Sequence, residues 1–202
     1  EKHAAQAKAV WNEALPIAGT LAEAYLRGRG ITCQLPKSLR FHPNCWHGLT
    51  AKRYPAMVAA VQGNQLAAVH RTYLKTDGSG KADIEPSKMM LGATKRAAVR
   101  LSECRKHLVV AEGIETALSL SSGLLSAPAG VWAALSTSGM RGLALPPVAG
   151  HLTIASDGEQ AGREAANALA ARANDLGWQV TLLPAPDGLD WNDVLMMKGE
   201  TV

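Results

Sequence analysis

The second half of this sequence alternates short apolar segments with helix-like segments, and this alternation restricts its possible folds more than any other feature. The apolar segments have the length and composition of buried β-strands; they cover residues 107–111, 131–135, 151–155 and 179–183. Helical patterns follow them, at residues 115–122, 137–143, 159–176 and 191–198. Because strands that alternate with helices form βαβ units, we predict an α/β domain with a parallel four-stranded sheet flanked by helices.

The first half lacks this alternation and predicts an α+β subdomain. An Ala-rich helical pattern covers residues 4–28 and is interrupted at Pro16, and residues 31–53 show no sustained period, so the subdomain should hold helices and a small antiparallel sheet. Two β-like segments, 54–62 and 65–75, are joined by Gly63-Asn64, which is a strong hairpin signal.

We therefore predict two domains, with a boundary between Arg96 and Lys106. The first is a basic α+β subdomain at residues 1–104, and the second is the α/β domain at residues 105–202. The first residue is not Met and the chain ends soon after Asp193, which suggests a fragment of a longer protein.

Charge is divided unequally between these halves. Up to Lys106 the chain has 17 basic and 7 acidic residues, whereas from His107 onward it has 4 basic and 10 acidic residues. This division suggests one surface for polyanions and one site for cations or acid/base chemistry.

Composition excludes several classes of protein. With 47% hydrophobic and 19% charged residues, the chain is neither disordered nor fibrous. No apolar run approaches the roughly 18 residues of a membrane span, so no membrane association is expected. Three scattered cysteines, Cys33, Cys45 and Cys104, favour a reducing cytoplasm over a disulfide framework.

Acidic residues follow three of the four predicted strands of the second half. Glu112 follows the first strand, Asp157 and Glu159 follow the third, and Asp190 and Asp193 follow the fourth. In an open parallel sheet, ligands bind outside the carboxyl ends of the strands, so these carboxylates are expected to converge. Converging carboxylates repel one another unless a cation neutralises them, and Mg²⁺ or Mn²⁺ suits an all-oxygen site. The pattern favours metal-assisted phosphoryl transfer, while the alternative is that these acids only cap helices.

Three motifs of the second half resemble the Toprim domain of primases, topoisomerases and some nucleases. They are Val110–Gly113, Asp157–Gly162 and Asp190, in the order and on the elements that the family uses. The resemblance implies that Glu112 and Asp157 are catalytic. It also implies a divalent-metal site, whose candidate ligands are Asp157, Glu159, Asp190 and Asp193. The family has DxD where this chain has Asp157-x-Glu159, which leaves the number of metal ions open.

The first half resembles the catalytic core of bacterial, phage and plasmid primases. The similar segments are residues 25–31, 39–43, 70–74 and 88–92. The resemblance implies a DNA primase that synthesises short primers from nucleoside triphosphates on a single-stranded DNA template. It further implies a helicase partner or a helicase domain in the full-length chain. The residues implied to bind nucleic acid or nucleotide phosphates are Arg71, Lys81, Lys88 and Arg100.

Two other functions stay open. One is a Toprim nuclease or topoisomerase fragment, although the three tyrosines that a topoisomerase could use all precede the second half. The other is a catalytically degenerate nucleic-acid-binding module, for which Glu159 is the motivating observation. Aromatic residues are only 4% of the chain, which argues against a base-stacking platform and predicts that the tryptophans pack in the core or at its edges.

Overall fold

The computed structural model describes residues 2–63, 65, 67–103 and 106–199. The chain divides into two compact units. The N-terminal unit comprises Glu1–Gly28 and Gln34–Thr94, and the C-terminal unit comprises Arg29–Cys33 and Lys95–Val202. The predicted boundary after residue 104 stays a prediction, and Cys104 and Arg105 lie outside the described residues.

The segment Arg29–Cys33 is held within the C-terminal unit by polar contacts. The backbone N–H groups of Thr32 and Cys33 donate to Ser122 Oγ at 3.1 and 3.2 Å. The buried amide of Asn192 donates to the backbone carbonyl of Arg29 at 2.8 Å. A segment of the predicted first domain therefore contributes to the second unit.

The N-terminal unit is an antiparallel sheet with two helices, as the sequence predicts. Its elements are α1 (Lys2–Glu13), β1 (Leu15–Pro16), α2 (Leu21–Gly28), β2 (Leu39–His47), β3 (Lys52–Val61), β4 (Ala68–Tyr73) and β5 (Lys88–Gly92). The strand order is β1-β2-β3-β4-β5 and every neighbouring pair is antiparallel. The pairing of β3 with β4 confirms the predicted hairpin, of which Asn64 lies outside the described residues.

A core between α1 and the sheet supports this unit. Ala7 of α1 is fully buried and clusters with Val58 of β3 and Val69 of β4. Because small residues of α1 allow the helix to approach β3 and β4 closely, those strands form a rigid base for the strands beside them.

The C-terminal unit is the predicted α/β domain. Its elements are β6 (Val99–Arg100), β7 (His107–Ala111), α3 (Ile114–Ser119), β8 (Gly130–Ala133), α4 (Thr137–Gly142), β9 (His151–Ala155), α5 (Gln160–Asp175), β10 (Gln179–Leu182) and α6 (Trp191–Gly199). The strand order is β10-β9-β7-β8-β6, in which the first four are parallel and β6 is antiparallel. The predicted parallel four-stranded sheet is confirmed, and β6 extends it by a strand that the sequence did not predict.

Apolar side chains fix the central strands of this sheet. Leu108 of β7, Leu152 and Ile154 of β9 and Leu169 of α5 share one core cluster and are fully buried. Burial of each such side chain contributes about 1.5–3 kcal/mol. Within the described ranges, no helix has both the length and the apolar character needed to cross a membrane.

Candidate metal and catalytic site

The acidic segments follow three neighbouring strands. Ala111 at the end of β7 pairs with Ala155 at the end of β9, and Leu182 at the end of β10 pairs with Ile154. The three strands are parallel and finish at nearly the same level. The segments that carry Glu112, Asp157 and Asp190 therefore leave the sheet at one edge.

The loops after β9 and β10 are joined by backbone hydrogen bonds. Gly158 N–H donates to the Leu189 carbonyl at 2.7 Å, and Ala185 N–H donates to the Ser156 carbonyl at 2.9 Å. A Cβ atom at Gly158 would overlap the Pro186 carbonyl oxygen and would lie 2.8 Å from Pro186 C. Only glycine leaves room for this approach, which brings the chain next to Asp157 against the chain next to Asp190.

The loop after β8 holds the backbone of Glu112. Leu135 N–H donates to the Glu112 carbonyl at 2.7 Å, and Ala134 N–H donates to the Ala111 carbonyl at 2.9 Å. Leu135 has φ of 74°, in the left-handed region that non-glycine residues rarely occupy. This conformation directs its N–H at Glu112, whose side chain is half-buried.

Asp190 and Asp193 form a reciprocal cap at the start of α6. Asp190 Oδ1 accepts from the N–H groups of Asn192 at 2.7 Å and Asp193 at 2.8 Å. Asp193 Oδ2 accepts from the Asp190 N–H at 2.9 Å. The capping role considered from the sequence is therefore present for both residues. Both bonds to the Asp190 side chain use Oδ1, which leaves Oδ2 outside the cap.

Asp157 and Glu159 occupy the turn between β9 and α5. The Asp157 side chain is half-buried, with its Oδ1 atom shielded from solvent. Glu159 is exposed at the N-cap position of α5, and its side chain makes no capping hydrogen bond. The loop before the helix and its first turn approach closely, since a Cβ atom at Gly162 would lie 3.1 Å from the Asp157 carbonyl.

The described residues do not group their metal-binding side chains into a ready-made site. Within the described ranges, no three His, Cys, Asp or Glu side chains are close enough together to hold an ion. The donor chemistry nevertheless fits Mg²⁺ or Mn²⁺, because carboxylate oxygens on tightly joined loops are the ligands such hard cations prefer. The predicted ligand set, Asp157, Glu159, Asp190 and Asp193, stays a prediction.

A cavity of about 150 Å³ lies beside these loops. Its lining residues come from α5 and from the ends of β9 and β10; they are Ser156, Arg163, Ala166, Asn167, Leu182 and Pro184. Arg163 also pairs with the exposed carboxylate of Asp187. Arg163 is therefore a cation that lies near the acidic loops.

Glu115 is a buried acid, for which the sequence favours stabilisation of a helix N-terminus over metal binding. It lies in the first turn of α3 and is 4% exposed. Every residue of this six-residue helix is buried, including Thr116 and Ser119. The polar residues at 115, 116 and 119 are typical of an exposed helix face, so the pattern gave no signal of burial. Because Glu115 is buried and lies three residues after Glu112, it is a further candidate for a residue that positions the Glu112 segment.

The predicted basic residues are distributed over both units. Arg71 on β4 is 6% exposed, and its guanidinium donates to the carbonyls of Trp46 at 3.2 Å and Met90 at 3.4 Å. Lys81 and Lys88 are half-buried in the same unit. Arg100 is exposed on β6, 4.5 Å from the centroid of the Trp132 ring. Arg71 thus has structural contacts, and phosphate binding by the four residues stays a prediction.

Two family profiles match consecutive parts of the chain. Residues 1–101 match the family described as "Domain of unknown function (DUF7146)". Residues 107–201 match the family described as "Toprim domain". No curated protein matches the chain in sequence.

Solved primase structures share the fold. The chain is similar to a DNA primase domain from Pseudomonas aeruginosa, with 19% identity, TM-score 0.55 and coverage of 97% of this chain and 75% of that one. It is also similar to the zinc-binding and RNA polymerase domains of the Aquifex aeolicus primase, with 15% identity, TM-score 0.57, and coverage of 100% of this chain and 59% of that one. For the RNA polymerase domain of the Mycobacterium tuberculosis primase DnaG, identity is 17%, TM-score is 0.54 and coverage is 98% and 79%.

At these identities the similarity shows the fold, and the chain spans less than two thirds of the Aquifex structure. The sheet that carries Glu112, Asp157 and Asp190 lies in the part that matches the Toprim profile. The chain therefore belongs to the family described as a domain of unknown function (DUF7146), and it continues into a Toprim domain with the fold of a DNA primase core.

Proposed function

We propose that this chain is the catalytic core of a DNA primase, a nucleotidyltransferase that makes short primers from nucleoside triphosphates on single-stranded DNA. The observation that carries the proposal is the convergence of three acid-bearing segments at one edge of a Toprim sheet. Asp157, Glu159 and Asp190 are the proposed ligands of Mg²⁺ or Mn²⁺, with Asp193 as a further candidate. When bound, such an ion supplies Lewis acidity toward the attacking hydroxyl and neutralises charge on the departing pyrophosphate.

Glu112 is the proposed proton acceptor or donor. Its backbone is fixed by the 2.7 Å hydrogen bond from Leu135, so its half-buried carboxylate has a restricted range of positions. A carboxylate within reach of a reacting hydroxyl, or of one intervening water, can accept its proton.

Asp190 would contribute through the oxygen that its cap does not use. The two N–H groups that donate to Oδ1 orient the Asp190 carboxylate in advance, so this side chain loses less conformational entropy when it binds a metal ion. Capping and metal binding are therefore compatible roles for this residue.

The basic residues would hold phosphates without reading sequence. Lys81, Lys88 and Arg100 retain accessible surface, whereas Arg71 would act after giving up contacts with two carbonyl groups or through the strand that it stabilises. Electrostatic contacts of this kind supply most of the affinity for a single strand and weaken as salt rises.

The source and the partner of the protein are proposed from its resemblance to bacterial, phage and plasmid primases. We propose a plasmid, phage or mobile-element replication protein, with a replicative helicase as partner or as a domain of the full-length chain. We also propose a cytoplasmic location, with which thiol groups at Cys33 and Cys45 are compatible.

Primer synthesis from labelled nucleoside triphosphates on a single-stranded template, with Mg²⁺ or Mn²⁺, tests the proposal. Short template-dependent products are expected from the unsubstituted chain and should be lost in Asp157→Asn. Glu164→Gln is the matched control, because Glu164 is an exposed acid of α5 that pairs with Arg141. Template degradation without synthesis would instead indicate a nuclease. Template binding without either reaction would indicate a degenerate module.

A further inference from the structure

The tip of the β2–β3 hairpin exposes two large apolar side chains. Trp46 retains 46% of its surface and Leu49 retains 71%. Trp46 pairs with Arg53 across the two strands, whereas the exposed Lys52 pairs with the buried His47 and so starts from the opposite face of the hairpin. One face of the tip therefore presents an indole ring together with the guanidinium of Arg53.

The backbone of Trp46 is held firmly while its ring is left in solvent. Its carbonyl accepts from Tyr73 Oη at 2.7 Å and from the Arg71 guanidinium at 3.2 Å. Tyr73 is fully buried and Arg71 is 6% exposed, so these donors belong to the interior of the N-terminal unit. Because the backbone is fixed in this way, only the side-chain torsions of Trp46 must be ordered on binding, which favours the use of its ring as a contact surface.

Arg53 is oriented toward the same ring. Its guanidinium carbon lies 5.7 Å from the centroid of Trp46, and its Nη1 donates to the Asn44 carbonyl at 3.0 Å. The guanidinium therefore covers part of one face of the indole ring and places a positive charge beside it, and stacking would use the ring surface that is still exposed.

The chain segment that forms this surface carries charge of one sign only. Residues 24–76, which include the whole hairpin, contain eight Lys or Arg residues and no Asp or Glu. A polyanion is therefore the favoured occupant, and an indole face at the same place favours a polyanion whose flat bases are unpaired. Single-stranded nucleic acid meets both conditions.

We propose that Trp46 and Arg53 form a stacking site for one base of single-stranded nucleic acid, with an adjacent phosphate on Arg53. The inference rests on the proposed function, to which it adds a specific contact for the template strand. It also corrects the expectation that the tryptophans only pack in the core or at its edges. One exposed ring on a rigid strand is enough for a stacking contact, and composition does not reveal it.

The test measures binding of a fluorescein-labelled oligothymidine by anisotropy, in EDTA and without nucleotides. Trp46→Ala should weaken binding by at least about fivefold, the loss expected for one stacked base, whereas Trp46→Phe should retain most of the affinity. Arg53→Ala should reduce the slope of log affinity against log salt by about 0.7, as for one lost phosphate contact. Leu49→Ala is the matched control, because Leu49 is exposed on the same tip but has no flat ring.

Three results would overturn the stacking site. The first is an affinity of Trp46→Ala for the oligonucleotide within twofold of that of the unsubstituted chain. The second is a loss of affinity in Leu49→Ala equal to that in Trp46→Ala. The third is a changed oligomeric state of Trp46→Ala with unchanged oligonucleotide affinity, which would indicate a protein contact. If Trp46→Ala fails to fold, as judged by circular dichroism, Trp46→Phe and Trp46→Leu are compared, and equal affinities contradict stacking. Asp157→Asn should bind the oligonucleotide normally while losing synthesis, so failure of this inference and failure of the primase proposal are distinguishable.

Discussion

Replacing Gly158 by alanine should separate the two loops that bear Asp157 and Asp190. The new Cβ atom would overlap the Pro186 carbonyl oxygen and lie 2.9 Å from the Leu189 carbonyl oxygen. These contacts are with backbone atoms, which cannot rotate away as a flexible side chain can. The loops must therefore move apart, which breaks the 2.7 Å hydrogen bond from Gly158 N–H to Leu189.

The size of the effect follows from these two changes. Overpacking costs about 1–3 kcal/mol, and leaving the buried Gly158 N–H without its acceptor costs about 1–3 kcal/mol. Alanine restricts the unfolded chain and returns about 0.4–1 kcal/mol, so the free energy of unfolding should fall by about 1–5.5 kcal/mol. With a urea dependence of about 2 kcal/mol per molar, the denaturation midpoint should fall by about 0.5–3 M. Affinity for Mn²⁺, measured by calorimetric titration, should fall as well.

Gly142→Ala provides the control for this substitution. Gly142 ends α4, and a Cβ atom added there would have no heavy atom within 4 Å beyond its own helix and chain neighbours. Alanine at this position should therefore be neutral or should stabilise by up to about 1 kcal/mol. If Gly158→Ala unfolds at the same urea concentration as Gly142→Ala and binds Mn²⁺ equally well, the loops are not held together as described and the reasoning is refuted.

Two further predictions concern Asp190 and His107. Asp190→Asn should lose Mn²⁺ affinity but should retain the cap of α6 and most of the free energy of unfolding. Asp190→Ala should lose Mn²⁺ affinity and also about 0.5–2 kcal/mol of the free energy of unfolding, because the cap is removed. Equal Mn²⁺ affinity in Asp190→Asn and in the unsubstituted chain would show that the residue only caps the helix. Burial lowers the pKa of His107, and the charge of His151, whose ring stacks on it at 4.6 Å, lowers this pKa further. In the unfolded chain His107 has its ordinary pKa of about 6.5, and in the folded chain its pKa is lower. The contribution of His107 to stability is therefore fully present above about pH 6.5 and falls as the pH drops toward the folded pKa. The free energy of unfolding, measured with urea at pH 7.5 and at pH 5, should fall less between these pH values in His107→Gln than in the unsubstituted chain. An equal fall in the two proteins would contradict the assignment of this pH dependence to His107.

The parallel sheet could be predicted because its three central strands, β7, β8 and β9, are almost entirely buried on both faces. The segments at 107–111 and 151–155 were predicted with the bounds that β7 and β9 have. Continuous runs of Leu, Val and Ile mark such strands without any need for alternation. The position of the acids at one edge follows from parallel strands alone, because all parallel strands present their carboxyl ends on the same side.

The strand β2 could not be predicted from its sequence. Pro43 lies in its middle, and the register with β3 shifts between His42 and Cys45. A bulge at this point removes the two-residue alternation that identifies a half-buried strand, and proline removes a backbone donor. The strand β6 was missed for a different reason, since two residues are too short for any period to be read.

The contacts of individual side chains were the least predictable part of the site. Asp190 was expected to bind metal or to cap a helix, and only the structure shows which of its oxygens the cap uses. The sequence favours a stabilising role for Glu115 at the start of a helix, and its burial cannot be read from the sequence because burial of α3 on all sides depends on tertiary packing. Trp46 was assigned to packing for the same reason, since local sequence does not say whether a ring faces the interior or the solvent.

Both candidate sites are positioned chiefly through the backbone. The carbonyls of Glu112 and Leu189 accept from Leu135 and Gly158, and the carbonyl of Trp46 accepts from Tyr73. A backbone contact fixes where a residue lies without occupying its functional side-chain atoms, so a carboxylate or an indole ring can be held in place and still be available to a ligand. Gly158→Ala should therefore impair the acidic site, and Tyr73→Phe the Trp46 site, about as strongly as substitution of the functional side chains themselves. Both should also lower the free energy of unfolding, which Asp190→Asn should largely preserve.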